Sequence, residues 1–158
     1  GKTEGHIEQS LFARSILDEK NGPPPEVNLF NEKNNGETLL QLMKNGYIKS
    51  AHDVSLGGII TAVSKMCIKG NIGFEFNKPK ISISEIEYFF SEDQGRYIIE
   101  ITPSDLKNVI EILEKNSVHY DELGKIVDKY MIINKKTKVT IDELRSYNTN
   151  WLKSYVNS

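Results

Sequence analysis

The sequence predicts an α+β domain built in layers, and three observations carry that expectation. Segments with helical periodicity alternate along the chain with short runs that read as strands. The loops between them are short, as in a packed layered domain. The chain has 158 residues, 38% of them apolar, which suits one core spanning residues 1–158 and would be cramped as two domains.

Between Gln9 and Leu17, the residues Leu11, Phe12, Ser15 and Ile16 fall at helical spacing, and Asn21-Gly22-Pro23-Pro24-Pro25 forbids continuation. The triproline is a stiff connector that fixes chain direction. Its flanks lack the basic anchor of a ligand for a proline-binding module. Residues 1–30 therefore read as an N-terminal helix and a proline-rich connector. From Asn31 to Asn45, Leu39, Leu40, Leu42 and Met43 mark a second helix, and Gly46 supplies a left-handed stop. A strand over Tyr47 to Ala51 follows, then His52-Asp53-Val54-Ser55-Leu56-Gly57-Gly58. Beyond that glycine turn, Ile59, Ile60, Val63, Met66 and Cys67 continue as a buried helix ending at Gly70.

Phe74 and Phe76 alternate with polar neighbours as a strand, and Ser84 with Glu85 and Glu87 opens a short helix whose Tyr88, Phe89 and Phe90 belong to the core. After Ser91-Glu92-Asp93-Gln94-Gly95, the β-branched run from Arg96 to Ile101 is the clearest strand. Pro103-Ser104 opens a helix with Leu106, Val109, Ile110 and Leu113 on one face. Strands are expected over Val118 to Val127, Tyr130 to Ile133 and Lys138 to Ile141. Asp142 is expected to cap a last helix reaching Trp151 and Leu152.

A net charge of −2 gives no electrostatic footprint for nucleic acid or an anionic membrane. Lys135-Lys136-Thr137-Lys138 reads as a solvated turn, because lysines without interleaved aromatics build no nucleic-acid platform. The lone Cys67 can form no internal disulfide and sits in an apolar helical pattern, which fits a reducing cytoplasm. No apolar run approaches the roughly 18 residues of a membrane span. The start, Gly1-Lys2-Thr3-Glu4, lacks a signal sequence and an initiator Met, as expected of part of a longer chain.

Two segments could carry chemistry. In the first, Asp53 and Ser55 end a strand while Gly57 and Gly58 lead into a helix, so backbone amides there could face an anion. A tight turn with a capping Asp or Ser needs the same residues. In the second, Glu92, Asp93, Gln94 and Arg96 place two carboxylates, an amide and a guanidinium within five positions, a set able to bind a polar ligand. A solvated loop with Arg96 packed over its neighbours is the alternative. His6, His52 and His119 are too dispersed for a zinc set, and no P-loop, dinucleotide fingerprint or serine-hydrolase elbow occurs. No catalytic residue and no metal ligand is assigned.

In order along the chain, four segments resemble the phosphoribosylformylglycinamidine synthase family. Gly5-His6-Ile7-Glu8-Gln9-Ser10-Leu11-Phe12 looks like the family's G-H-L-G-Q-S-L-Y opening. Pro23-Pro24-Pro25-Glu26-Val27-Asn28-Leu29 is similar to P-P-P-x-V-D-L. Ser50-Ala51-His52-Asp53-Val54-Ser55-Leu56-Gly57-Gly58-Ile59 looks like A-H-D-V-S-D-G-G-L. Ser91-Glu92-Asp93-Gln94-Gly95-Arg96-Tyr97 is similar to G-E-S-Q-x-R or, in one bacterial branch, G-E-D-Q-A-R-Y. The likeness is clear from Gly5 to Ile101 and looser through Gly124-Lys125-Ile126 and the last helix. Glu8 stands where the family has Gly, and Leu56 where it usually has Asp.

The resemblance implies a layered α/β/α domain like the C-terminal domain of aminoimidazole ribonucleotide synthetase, present as the last quarter of a large subunit with two homologous halves. It implies an enzyme that uses ATP and Mg²⁺ to activate the formamide oxygen of formylglycinamide ribonucleotide, which ammonia from glutamine replaces. The missing N-terminal domains would hold the catalytic groups and the Mg²⁺ carboxylates, so the isolated chain is expected to be inactive and without a cofactor of its own. The resemblance further implies substrate or nucleotide binding at Glu92, Asp93 and Gln94, while Arg96, Asp53, Ser55, Gly57 and Gly58 are binding candidates on the reading of the residues themselves. In the divided form of the enzyme, a glutaminase subunit and a small bridging subunit are the expected partners. Two other readings share parts of this pattern: a related enzyme, such as aminoimidazole ribonucleotide or selenophosphate synthetase, and a free-standing binding module.

Overall fold

The structure is a computed structural model that describes residues 1–156. The elements run α1 (Leu11–Ile16), α2 (Leu29–Lys44), β1 (Ile48–Asp53), α3 (Gly58–Gly70), β2 (Gly73–Phe76), α4 (Glu85–Phe90), β3 (Tyr97–Ile101), α5 (Leu106–Lys115), β4 (Gly124–Val127), β5 (Tyr130–Ile133), β6 (Thr137–Thr140) and α6 (Ile141–Val156). This is the α+β class that the alternation of periods predicts. The chain divides into two compact units: Gly1–Ala62 with Ile81–Asp121, and Val63–Lys80 with Glu122–Ser158.

In the first unit, local chemistry sets the helix starts. The Ser10 hydroxyl accepts from the Ala13 amide to open α1, and the Asn28 side chain accepts from the Asn31 amide to open α2. Ser84 and Glu87 form a reciprocal capping box at α4. Helix α2 ends at Asn45, and Gly46 takes the left-handed conformation that the sequence reserves for it (φ +75°). Strands β1 and β3 pair antiparallel, with Ala51 opposite Ile99 and Asp53 opposite Tyr97. The core gathers Leu42, Val109, Leu113 and Val118, with Tyr47, Ile48, Ile99 and Ile101 packed against them. Tyr88 and Phe89 are buried as expected, and the Phe12 ring stacks at a tilt on Phe90, centroids 4.7 Å apart.

In the second unit, four strands lie in the order β4-β2-β5-β6. Strand β2 pairs antiparallel with β4 and parallel with β5, and β5 pairs antiparallel with β6. Val63, Cys67, Phe76, Met131 and Ile141 are its buried apolar residues. The Arg145 guanidinium ties α6 to the end of α3 by donating to the Ile68 carbonyl and to the Asn71 side chain. Cys67 is a buried free thiol, and burial pushes its pKa up to about 11.

Three local expectations are corrected. The strand expected over Val118 to Val127 covers only Gly124–Val127. Val118 is instead spent on the end of α5: its amide donates to the Leu113 carbonyl (2.8 Å) while its side chain enters the first unit's core. Helix α5 begins at Leu106 rather than at Pro103-Ser104, because residues 103–105 form a turn in which the Thr102 hydroxyl bonds the Asp105 carboxylate. Thr140, not Asp142, caps α6: its hydroxyl accepts from the Glu143 amide, while Asp142 lies in the first turn and pairs with Arg145 at 2.8 Å.

Candidate functional site

The polar segment between α4 and β3 is held by its own side chains. Arg96 is buried at 3% exposure, so each of its donors needs an acceptor. Its Nε donates to the Asp93 carbonyl (3.0 Å), Nη2 to the Ser91 carbonyl (2.8 Å) and Nη1 to the Thr3 hydroxyl (3.1 Å). The guanidinium therefore braces the turn from inside and pins the N-terminal segment to it. Burial lowers the Arg96 pKa from its ordinary value, and the neighbouring Asp93 charge works in the opposite direction.

Asp93, whose Oδ2 lies 3.7 Å from Arg96 Nη1, binds the backbone of the N-terminal segment. Its Oδ2 accepts from the amides of Glu4 (3.0 Å) and Gly5 (3.1 Å), and its Oδ1 from the amide of His6 (3.1 Å). Gly5 has φ +89°, a conformation that side-chain-bearing residues rarely adopt. Burial alone would raise the Asp93 pKa. The amides of Gly5 and His6, the Arg96 charge and the Glu4 amide outweigh it and hold the carboxyl below the ordinary value.

Glu92 connects the two candidate segments. Its Oε1 accepts from the Gly57 amide (2.8 Å) and from the Leu11 amide (2.7 Å), while its own amide donates to the His6 carbonyl (3.0 Å). The Gly57 amide, read from the sequence as able to face an anion, thus faces a carboxylate of its own chain. Gly58 sits where a Cβ would lie 2.5 Å from the Phe89 carbonyl oxygen and 2.7 Å from that of Ser91. Only glycine lets α3 start so close to the α4 terminus. The Val54 amide donates to the Arg96 carbonyl (2.9 Å), which sets the end of β1 beside the turn.

The eight candidates therefore divide by environment. Asp93, Arg96, Gly57 and Gly58 are buried, and Glu92 is half-buried with two amides on one oxygen. Gln94, Asp53 and Ser55 are exposed. Gln94 donates back to the Glu92 carbonyl (3.2 Å), and Asp53 lies 3.3 Å from the His52 ring nitrogen. Sequence reasoning missed the structural partners: Thr3, the amides of residues 4–6, and Asn35, whose side chain donates to the Gly95 carbonyl (2.9 Å). For Gly5 and His6 the sequence signal was the opening Gly5-to-Phe12 block, which leaves out Thr3 and Glu4.

Among the described residues no three His, Cys, Asp or Glu side chains gather as a metal site. Glu92 Oε1 and both Asp93 oxygens are directed at amides, so the residues of this turn do not fit a divalent ion.

Comparison with known proteins gives one family, two relatives and two solved structures. Residues 6–134 match the model of the family described as AIR synthase related protein, C-terminal domain. The chain is 64% identical over 156 residues to the phosphoribosylformylglycinamidine synthase subunit PurL of Pelagibacter ubique and 33% identical to that of Bartonella bacilliformis. Each match covers 99% of this chain and 21% of the relative. The chain thus spans about a fifth of the length of these curated relatives. Among solved structures, T. maritima PurL complexed with FGAR superposes with a TM-score of 0.71 at 21% identity, covering 84% of this chain and 24% of that chain. PurLQS from Thermotoga maritima gives 0.66 at 21% identity, covering 89% and 24%. Both likenesses support the fold.

Proposed function

The chain belongs to the family of AIR synthase related protein C-terminal domains, and from that premise we propose that it is one domain of the large subunit of a phosphoribosylformylglycinamidine synthase. The observation that carries this reading is the 64% identity to the Pelagibacter ubique PurL subunit, sustained over 156 residues. That degree of identity favours the synthase over a related synthetase or a free-standing module. The complete enzyme converts formylglycinamide ribonucleotide and glutamine-derived ammonia to the amidine at the expense of ATP, with Mg²⁺. The isolated 158-residue chain, a single domain in this reading, catalyses nothing alone.

Within that enzyme, the turn from Ser91 to Arg96 acts as a frame. Glu92, Asp93, Arg96, Gly57 and Gly58 hold it, and Gln94, Asp53 and Ser55 are the groups left at the surface to meet a ribonucleotide or nucleotide. An exposed amide and an exposed hydroxyl suit the hydroxyls and phosphate of such a ligand, and an exposed carboxylate suits its hydroxyls. The T. maritima structures bearing the names PurL complexed with FGAR and PurL complexed with ATP lend support to ligands of this class. The name PurLQS supports further subunits as partners, here a glutaminase and a small bridging subunit. Among the described residues no helix is long and apolar enough to cross a membrane, and we assign the enzyme to the cytoplasm.

Genetic complementation tests the reading. The gene encoding the parent subunit is placed in a bacterial strain lacking its own synthase large subunit, alongside matching partner subunits. Growth without added purine is expected from the complete gene and not from the 158-residue segment. Failure of the complete gene to restore growth, with the protein expressed, would contradict the assignment.

A further inference from the structure

The connector and the first turn of α2 leave large apolar side chains in water. Val27 is 55% exposed, Leu29 78% and Phe30 77%. They fall within four positions, where Asn28 between them caps the helix and the triproline before them is a stiff connector. Scattered single apolar residues on a surface need no explanation, but three large apolar side chains, each more than half exposed, within four positions point to a contact. A buried Phe side chain alone removes about 150–250 Å² from water.

We infer that Val27, Leu29 and Phe30 dock against the part of the parent subunit that lies outside these 158 residues. The inference rests on the reading of this chain as one domain of a longer subunit. Relatives are about five times as long, since each match covers 21% of the relative, so most of the polypeptide available to cover the patch belongs to the same chain. The chemistry favours that occupant. Permanent contacts resemble a core cut in half, whereas surfaces that meet separate partners are no more apolar than the protein exterior at large.

Cysteine protection tests it in the complete parent subunit without partner proteins. Leu29→Cys and Phe30→Cys are made singly, with Lys107→Cys as a reference on α5, where the Lys107 side chain is 87% exposed. Maleimide labelling rates are read peptide by peptide by mass spectrometry and normalised to the same protein in denaturant. Positions 29 and 30 are expected to label at least about 50-fold more slowly than position 107 in dilute subunit. Two sites guard against one substitution loosening the contact. Equal rates at all three positions would overturn the inference, because the patch would be free. So would slowing that appears only as concentration rises, which indicates a second copy, or only when a glutaminase subunit is added. A reading frame that ends with no longer subunit would instead sink the parent assignment, and that is seen before any labelling.

Discussion

Glu92 bridges Gly57 and Leu11: one carboxylate oxygen accepts from both amides, at 2.8 and 2.7 Å, joining segments far apart in the sequence. Glu92→Ala leaves both amides without that acceptor and is expected to lower stability by about 1–3 kcal/mol. Glu92→Gln keeps an oxygen at the same reach and is expected to lose less. Urea unfolding of the 158-residue chain and both variants checks the order. Equal stability of Glu92→Ala and the parent sequence would contradict it.

Asp93 gives the pH dependence. Its pKa in the folded chain lies below the unfolded value, so the stability it contributes is fully present above the unfolded carboxylate pKa of about 3.9 and is lost as pH falls through the folded pKa. Asp93→Asn is therefore expected to melt below the unsubstituted chain at pH 7, with the gap closing as the pH drops below about 4. Thermal melts at several pH values would show this. A gap that stays constant into acid would mean the carboxylate charge is not what holds residues 4–6.

Gly58 and Gly46 share a left-handed backbone but not their surroundings, and that separates strain from collision. At Gly58 an added Cβ meets the backbone of Phe89 to Ser91, whereas at Gly46 nothing lies within 4 Å. Gly46→Ala is expected to cost about 1 kcal/mol, and Gly58→Ala several times that or outright misfolding. Calorimetric melting of the two variants distinguishes them.

Cys67 is expected to react slowly while the chain is folded, because its thiol is buried and titrates near 11, leaving little thiolate at neutral pH. An aromatic disulfide reagent should register the thiol only after denaturant is added. Rapid reaction under native conditions would place Cys67 at the surface.

The sequence made α2, α3 and β3 legible because each has one dominant periodicity and a clear stop, such as Gly46 after α2. Elements were misread where one residue had two local options. Val118 is β-branched and apolar, yet it serves the α5 terminus and the core, and Thr140 precedes Asp142 as a cap with the same type of acceptor. The candidate turn was visible as composition. Its division of labour was not, since the partners of Asp93 are backbone amides some 87–89 positions away, and any residue offers an amide. For Arg96, composition alone could not separate a ligand-facing guanidinium from an internal brace. Burial at 3% decides for the brace in this structure.

The proposed frame assigns different consequences to its two kinds of residue, and purified parent subunit supplied with formylglycinamide ribonucleotide, ammonia, ATP and Mg²⁺ tests the assignment most directly. Amidine should form together with ADP in the unsubstituted subunit. A Gln94→Ala, Asp53→Ala variant should melt within about 0.5 kcal/mol of it, as surface changes do, while its KM for ribonucleotide or nucleotide rises several-fold. No amidine from the unsubstituted subunit would contradict the functional reading itself, and unchanged kinetics in the variant would show that the exposed side of this turn meets no ligand.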